Sequence, residues 1–178
     1  MRPLDARFGW WDSREAALQK AQARIDWALE LDPDNADAHT CMSFLHAWSE
    51  RFDEAASEAR RAVEIAPGSA DVAHFASFVL TMCDHGEEAV TLAEKAIALS
   101  PNYPAAYIGV LGDAYRHAHR IEEAIAAFKE YGARSPGFGL VDLVLVYQQN
   151  GRPEQARGAA KALIAARPTF TIATWMKT

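Results

Sequence analysis

Prolines recur along the chain at a nearly constant spacing, and this period constrains the fold more than any other feature. Five similar strings, such as LELDP and VEIAP, end at Pro33, Pro67, Pro101, Pro136 and Pro168. The successive spacings are 34, 34, 35 and 32 residues. Because proline lacks a backbone donor and its ring clashes with the preceding helical turn, each proline is expected to end a helix. The period therefore predicts an array of repeated units.

Each unit divides into two amphipathic halves separated by a short polar turn. The turns fall at residues 50–53, 84–86, 119–121 and 150–153. Asp53 is placed to cap the helix that follows it, Pro153 suits a first helical turn, and Gly151 tolerates a positive φ. Each unit is therefore predicted to be a helical hairpin.

Matched positions in the units predict how the helices pack. The second helices carry alanine at Ala55, Ala89, Ala124 and Ala156, followed seven residues later by Ala62, Ala96, Tyr131 and Leu163. The corresponding close-packing position in the first helices is Ser43, Ser77, Gly112 and Val144. Small side chains let two backbones approach, and neighbouring hairpins must stack to cover their remaining apolar faces.

The period also divides the chain. We expect a lead over residues 1–12, a half repeat with a single helix over 13–35, full repeats over 36–69, 70–104, 105–136 and 137–168, and a truncated helix over 169–178. The spacing of Asp12-Ser13-Arg14-Glu15 matches a capping box that opens the first helix, which is predicted to run from Ser13 to Leu31.

Charge and hydropathy argue against several classes of partner. The chain has 18 basic and 24 acidic residues, and no run of Lys or Arg offers the positive face that nucleic acid or an anionic membrane requires. The apolar stretch at 140–147 is far shorter than a membrane span. Residues 1–11 lack the apolar segment of a secretory signal, so we expect a cytoplasmic protein.

No residue pattern predicts catalysis or a cofactor. Cys41 and Cys83 lie inside helical patterns and are expected to be reduced, buried and inert thiols. The clusters Cys83-Asp84-His85 and His117-Ala118-His119 place their side chains on different helix faces, which is not the spacing of a zinc site. The ten glycines form no phosphate-binding loop between a strand and a helix. We therefore predict a protein that is not an enzyme and binds no metal.

One unit carries a recognisable motif. Leu111-Gly112, Tyr115, Ala124, Phe128 and Pro136 follow one another at the spacing of the tetratricopeptide repeat family, which the chain resembles over about residues 36–168. The resemblance implies an all-α fold, with helical hairpins stacked in a right-handed superhelix (an α-solenoid). It also implies a scaffold for protein–protein interaction. His39 and Ala73 depart from the family pattern, which has a bulky aromatic residue at that position.

A narrower resemblance concerns the kind of protein in which such an array occurs. Asn102-Tyr103-Pro104 with Tyr107, and Phe170 leading to Trp175, are similar to the tetratricopeptide tail of bacterial class III adenylate and guanylate cyclases. Similar tails follow winged-helix transcription regulators. The cyclase resemblance implies a module of a larger signalling protein, whose own catalytic domain is then a candidate partner. The chain has no strand pattern for a cyclase core, so we expect no cyclase activity.

In the tetratricopeptide family the first helix of each hairpin lines a concave groove, which implies a set of ligand-facing residues here. They are Thr40, Phe44 and Trp48, then His74, Phe78 and Met82, then Asp113, Arg116 and His117, with Val141, Leu145 and Gln148 in the last unit. Exposed aromatic residues often anchor interfaces, so an apolar peptide or helix is expected near Phe44, Trp48 and Phe78. Because Arg116 is the one basic residue in the set, the groove does not resemble a clamp for a C-terminal carboxylate.

Two alternatives remain open at this level. Phe44 and Phe78 could be ordinary core between repeats, and Trp48 could cover the end of a hairpin. Trp10, Trp11 and Trp175 could instead expose apolar surface at the two ends of the array, which a second copy of the chain would cover. In that case the chain is a dimerisation module.

Overall fold

The computed structural model describes residues 14–135 and 137–169, and every regular element in these residues is an α-helix. The helices there are α1 Arg14–Leu31, α2 Ala36–Trp48, α3 Phe52–Ile65, α4 Ala70–Met82, α5 Gly86–Leu99, α6 Ala105–His117, α7 Ile121–Arg134, α8 Gly139–Gln149 and α9 Pro153–Ala166. The predicted all-α helical-repeat solenoid is confirmed. Pro136, the predicted capping box before Arg14, the helix predicted after residue 169, and Trp10, Trp11 and Trp175 lie outside the described residues.

The helices pair in sequence order and the pairs stack. Four hairpins form, α2 with α3, α4 with α5, α6 with α7 and α8 with α9, and the second helix of each hairpin packs on the first helix of the next. The alanines predicted for close packing are buried, with Ala55, Ala89 and Ala124 fully so. Helix α1 packs on α2. The predicted half repeat begins at residue 13, outside the described residues.

The close-packing position of the first helices is buried in three of the four hairpins. Ser77 Oγ donates a hydrogen bond to the carbonyl oxygen of Ala89 at 2.7 Å, which links α4 to α5. A Cβ atom at Gly112 would lie 2.5 Å from the ring of the buried Phe128, so this ring occupies the space that a side chain would fill. Val144, the matching residue of the last hairpin, is half-buried.

The turns inside the hairpins share one conformation. Glu50, Asp84 and His119 have φ near 60° and Gly151 has φ 66°, so all four are left-handed. In the first turn the amide of Arg51 donates to the carbonyl of His46 at 2.9 Å, and the other three turns repeat this bond. This is the Schellman arrangement that closes a helix C-terminus. The prediction at Gly151 is confirmed, and three residues other than glycine adopt the same conformation.

The prediction that Asp53 caps a helix is wrong. Arg51 occupies the cap position of α3 and makes no side-chain cap bond, while Asp53 lies inside the first turn. Each second helix begins in this way, without a side-chain cap but with acidic residues in its first turn. A carboxylate there stabilises the positive end of the helix dipole. The helix α2, by contrast, is capped by Asn35, whose Oδ1 accepts from the amide of Ala38 at 2.9 Å.

The two departures from the family pattern are accommodated locally. His39 Nδ1 lies 2.6 Å from Glu58 Oε2 on α3, and its Nε2 lies 3.0 Å from the carbonyl oxygen of Pro33. His39 therefore connects α2 to α3 and to the preceding loop by polar contacts. Ala73 is buried in a cluster with Ala96 and Tyr107.

Candidate peptide-binding groove

The first helices of the hairpins lie side by side, because α2 contacts α4 and α4 contacts α6. Several predicted groove residues meet on the face that these helices share. The rings of Phe44 on α2 and Phe78 on α4 have centroids 5.8 Å apart. Phe78, Asp113 and Val141 line one cavity although they belong to three different hairpins. The stacking of hairpins therefore brings together positions 28 to 35 residues apart in sequence.

Four aromatic side chains form a contiguous cluster at the N-terminal end of this face, which we call the aromatic patch: Phe44, Trp48, Phe75 and Phe78. The centroid of Phe44 lies 5.5 Å from that of Trp48 and 5.7 Å from that of Phe75. Trp48 is 53% exposed and Phe75 is 41% exposed, while Phe44 and Phe78 are half-buried. The patch thus has an open aromatic surface on a partly buried base.

Phe44 lies between the core and the surface of the aromatic patch. It packs against the core cluster that contains Leu80 and Val79, and it also contacts the exposed rings of the patch. Phe75 was not among the predicted groove residues, because the predicted set followed positions 74, 78 and 82 on α4. Phe75 directly follows the predicted residue His74 in the same helix turn, and this adjacency could have identified it.

Two predicted groove residues are buried instead of open to a ligand. Thr40 is buried and its hydroxyl donates to the carbonyl oxygen of Ala36 at 2.9 Å. His74 is buried and stacks on Tyr107 with ring centroids 4.1 Å apart. Burial lowers the pKa of His74, which favours the neutral ring. Both side chains contribute to packing between hairpins and offer little surface to a partner.

The remaining groove positions on α4 and α6 are half-buried. Met82 packs against the N-terminal core cluster. Arg116 donates to Asp113 Oδ1 from its Nη2 atom at 3.0 Å, so its charge is already paired. Burial, and then the charge of Arg116, lowers the pKa of His117. In the last unit, Leu145 and Gln148 are exposed and Val141 is half-buried.

A cavity of about 540 Å³ lies beside the aromatic patch, between α4, α6, α7 and α8. We call it the carboxylate pocket. Its main side chains are Phe78, Asp113, Tyr131, Phe138, Asp142 and Arg167. Phe78 belongs to both the patch and the pocket, so the two surfaces are continuous.

The walls of the carboxylate pocket are aromatic. The Tyr131 ring lies over Gly109, where a Cβ atom would be 2.8 Å from its Cε1 atom. Tyr131 and Phe138 stack with ring centroids 6.4 Å apart. The guanidinium of Arg167 lies over the other part of this wall, 4.5 Å from the centroid of the Phe138 ring. Phe138 is 53% exposed and forms part of the rim.

The pocket contains two carboxyl groups in unequal environments. Asp113 is paired with Arg116, whereas the side chain of Asp142 has no hydrogen bond or ion pair with the described part of the chain. Burial, and then the negative charge of Asp113, raises the pKa of Asp142 to about 7, although the charge of Arg116 opposes this. Sequence reasoning missed Asp142 as a groove residue. The feature that could have identified Asp142 is that it is an acidic residue within the apolar stretch 140–147.

The structure corrects one prediction about the cysteines. Both are free thiols, but Cys41 is exposed and Cys83 is half-buried, so the prediction that both are buried is wrong for Cys41. Partial burial, and then the nearby carboxylate of Asp37, raises the pKa of Cys41. A raised pKa keeps the thiol protonated and weakly nucleophilic at neutral pH.

Two further findings concern metals and membranes. Within residues 14–135 and 137–169, no three His, Cys, Asp or Glu side chains are grouped so that they could hold a metal ion. None of the helices in those residues combines the length and the hydropathy needed to cross a bilayer.

Comparison with known proteins agrees with the repeat pattern. Residues 85–137 match the family described as tetratricopeptide repeat. The fold is that of a tetratricopeptide repeat array. No curated protein matches the chain.

Solved structures resemble the array over nearly its whole length. PilW, described as a widely conserved type IV pilus biogenesis factor, is 22% identical with a TM-score of 0.79, over 92% of this chain and 76% of that one. YrrB, described as a tetratricopeptide repeat protein with an unusual peptide-binding site, is 21% identical with a TM-score of 0.66, over 90% and 84%. MamA from Desulfovibrio magneticus RS-1 is 16% identical with a TM-score of 0.71, over 89% and 90%. At these identities the likeness concerns the tetratricopeptide fold alone.

Proposed function

We propose that this tetratricopeptide array is a non-catalytic scaffold that binds a peptide or a domain of another protein along the face formed by α2, α4, α6 and α8. The observation that carries the proposal is the aromatic patch, which continues into the carboxylate pocket through Phe78. The peptide-binding site described for YrrB, a protein of the same fold, agrees with this use of the array.

The energetics of the patch favour a protein ligand. Trp48 and Phe75 leave large ring surfaces in water. Aromatic side chains bury about 150–250 Å² each and dominate interface energetics. A partner that covers both rings would gain this burial without first ordering a loop, because both residues lie within helices.

A capture experiment with matched variants tests the proposal. The chain is used as bait in extracts of its source cell, beside the double variant Trp48→Ala, Phe75→Ala. Leu99→Ala is the control, because Leu99 is an exposed apolar residue on α5, a second helix. We expect a specific partner that the control retains and the double variant loses. Equal capture by all three proteins would refute binding at the patch.

The cellular context in this proposal is a cytoplasmic module of a larger bacterial signalling protein of the adenylate or guanylate cyclase type. It is supported by the sequence resemblance at residues 102–107 and not by the structural comparisons. Calorimetric titration of the array with a class III cyclase catalytic domain from the same source tests it. Saturable binding that depends on Trp48 and Phe75 is expected, and absence of heat at high concentration of both proteins would contradict it.

A second candidate function is self-association, which the exposed surface of α1 favours. Trp27 is 64% exposed and Leu31 is 68% exposed, and the i, i+4 spacing places them on one face of the helix. A second copy covering this face would form a dimer. A sedimentation concentration series on the chain and on Trp27→Glu separates the candidates. A dimer that dissociates in the variant supports self-association, and a monomer at all concentrations excludes it.

A further inference from the structure

We propose that the carboxylate pocket binds an arginine side chain of the partner, with the aliphatic stem against Phe78 and Phe138 and the guanidinium between Asp113 and Asp142. This inference rests on the proposed function and specifies the chemistry that the groove selects. It concerns a site distinct from the exposed rings of the aromatic patch.

The shape and lining of the pocket fit a long side chain with one charged end. Its volume of about 540 Å³ lies within the range of ligand-binding cavities. Phe78, Tyr131 and Phe138 provide apolar and aromatic walls, and the carboxylates lie on α6 and α8. An arginine side chain has the same two parts, because its aliphatic stem packs on apolar surface while its guanidinium keeps polar contacts.

The missing ion pair at Asp142 favours a cationic ligand. Arg116 is the cation paired with Asp113, and Asp142 has no ion-pair partner in residues 14–135 and 137–169. A partly desolvated carboxylate without a partner is unfavourable, so an incoming cation gains an interaction that the free protein lacks.

Arg167 lines the pocket but forms no hydrogen bond or ion pair with Asp142 in the part of the chain that the structure describes. Arg167 stacks on Phe138 and packs over Gly137. Burial, and then the charges of Asp142 and Asp113, raises the pKa of Tyr131, and the charge of Arg167 opposes this rise. The charged groups that shift the pKa of Asp142 are Asp113 and Arg116. Within residues 14–135 and 137–169, neither Arg116 nor Arg167 forms an ion pair with Asp142, so its carboxyl group is available to a group from the partner.

The planar guanidinium is favoured over an ammonium group for two reasons. It can donate two parallel hydrogen bonds to a carboxylate, and it can stack on an aromatic face. Phe138 already accepts such stacking from Arg167 on one side. The pocket should therefore select arginine over lysine.

A small probe isolates this pocket from the rest of the groove. Nα-acetyl-L-arginine N-methylamide is titrated into the full chain and followed by NMR at the backbone amides and at the aspartate carboxyl carbons. The neutral citrulline analogue, which has nearly the same shape, is the matched ligand. We expect saturable shifts confined to pocket residues at about millimolar concentration, with the citrulline analogue about tenfold weaker.

Variants connect the preference to the carboxylate. Asp142→Asn should bring the two ligands to equal affinity, and Asp37→Asn, on the exposed surface of α2, should leave the preference unchanged. Circular dichroism melting of each variant shows whether it is folded. Equal binding of the two ligands to the original chain, no saturable shift, or an unchanged preference in folded Asp142→Asn would each overturn the inference.

This outcome is distinguishable from failure of the proposed function. Capture that depends on Trp48 and Phe75, together with no arginine preference, would support the scaffold function and refute the arginine site. An arginine preference without any capture would support the arginine site and refute partner binding at the aromatic patch.

Discussion

The fold disfavours the charged form of the Asp142 carboxyl group. This effect predicts how the free energy of unfolding depends on pH. Its pKa of about 7 in the folded chain compares with 3.8 for an ordinary aspartate. Between those values the folded state binds more protons than the unfolded state, so stability is lost as the pH rises through this window. The whole penalty is present above pH 7 and absent below pH 4.

Asp142→Asn removes this ionisation and should stabilise the chain only at the higher pH. We expect a gain in the free energy of unfolding of about 1–3 kcal/mol at pH 8, since partial solvent exposure reduces the full effect, and no gain at pH 4. Urea unfolding of both proteins at pH 4, 6 and 8 measures the difference. A difference that does not change with pH would mean that Asp142 has an ordinary pKa.

Some features at the residue scale could be predicted from sequence, and others depended on packing. The buried alanines recur at a fixed register, so their positions followed from the period. The stacking of α7 and α8 places Asp142 and Tyr131 in the lining of one pocket, and no sequence spacing indicates that they share it. The exposure of Cys41 was missed for a related reason, because a residue within a helical pattern can face either the core or water.

At the scale of a single element, the left-handed residue in each turn determines how a first helix ends. A residue other than glycine in this conformation costs roughly 1 kcal/mol. Glu50→Gly should therefore raise the free energy of unfolding by about 0.5–1 kcal/mol, and Gly151→Ala should lower it by about 1 kcal/mol. Chemical denaturation measures both changes. Changes of equal sign would show that the turns do not depend on this conformation.

The contact between α7 and α8 depends on a glycine. A Cβ atom at Gly139 would lie 2.4 Å from the backbone nitrogen of Gly132, so the two helices must separate to admit a methyl group. We expect Gly139→Ala to destabilise the chain by about 2–3 kcal/mol.

Gly158→Ala is the matched control for this contact. Gly158 lies inside α9 with no atom near the position of a Cβ, so alanine should stabilise that helix by about 0.5–1 kcal/mol. Thermal melting of the two variants shows the opposite signs. Equal effects would mean that helix propensity, and not the contact between backbones, determines the result at residue 139.

The elements themselves were largely predictable because proline and turn residues mark their ends. The helices end close to the positions that the proline period indicated. The prediction of a cap at Asp53 was wrong because the Schellman turn extends to Arg51. The helix α3 therefore begins at Phe52, and Asp53 lies inside it. A sequence without glycine at residue 50 gives no sign of that turn.

At the scale of the whole molecule, the array has two main core clusters that share a boundary at α6. One contains Leu80 and Ala89, the other contains Phe128 and Val146, and Tyr115 packs against both. In stacked repeats each unit contacts only its neighbours, so stability is a sum of local terms. Damage to one cluster should therefore remain near that cluster.

Phe128→Ala tests this local coupling. The ring is fully buried, and its removal should cost about 3–5 kcal/mol. If the interface at α6 is weaker than that loss, α7, α8 and α9 should lose amide protection while α2 to α5 retain it. Native-state hydrogen exchange resolves the two regions, and Leu80→Ala, in the other cluster, should give the reverse pattern. Equal loss of protection in both regions would mean that the array unfolds as one cooperative unit. The carboxylate pocket and the aromatic patch would then be lost in the same unfolding transition. Local loss would instead let a destabilised pocket coexist with an intact aromatic patch.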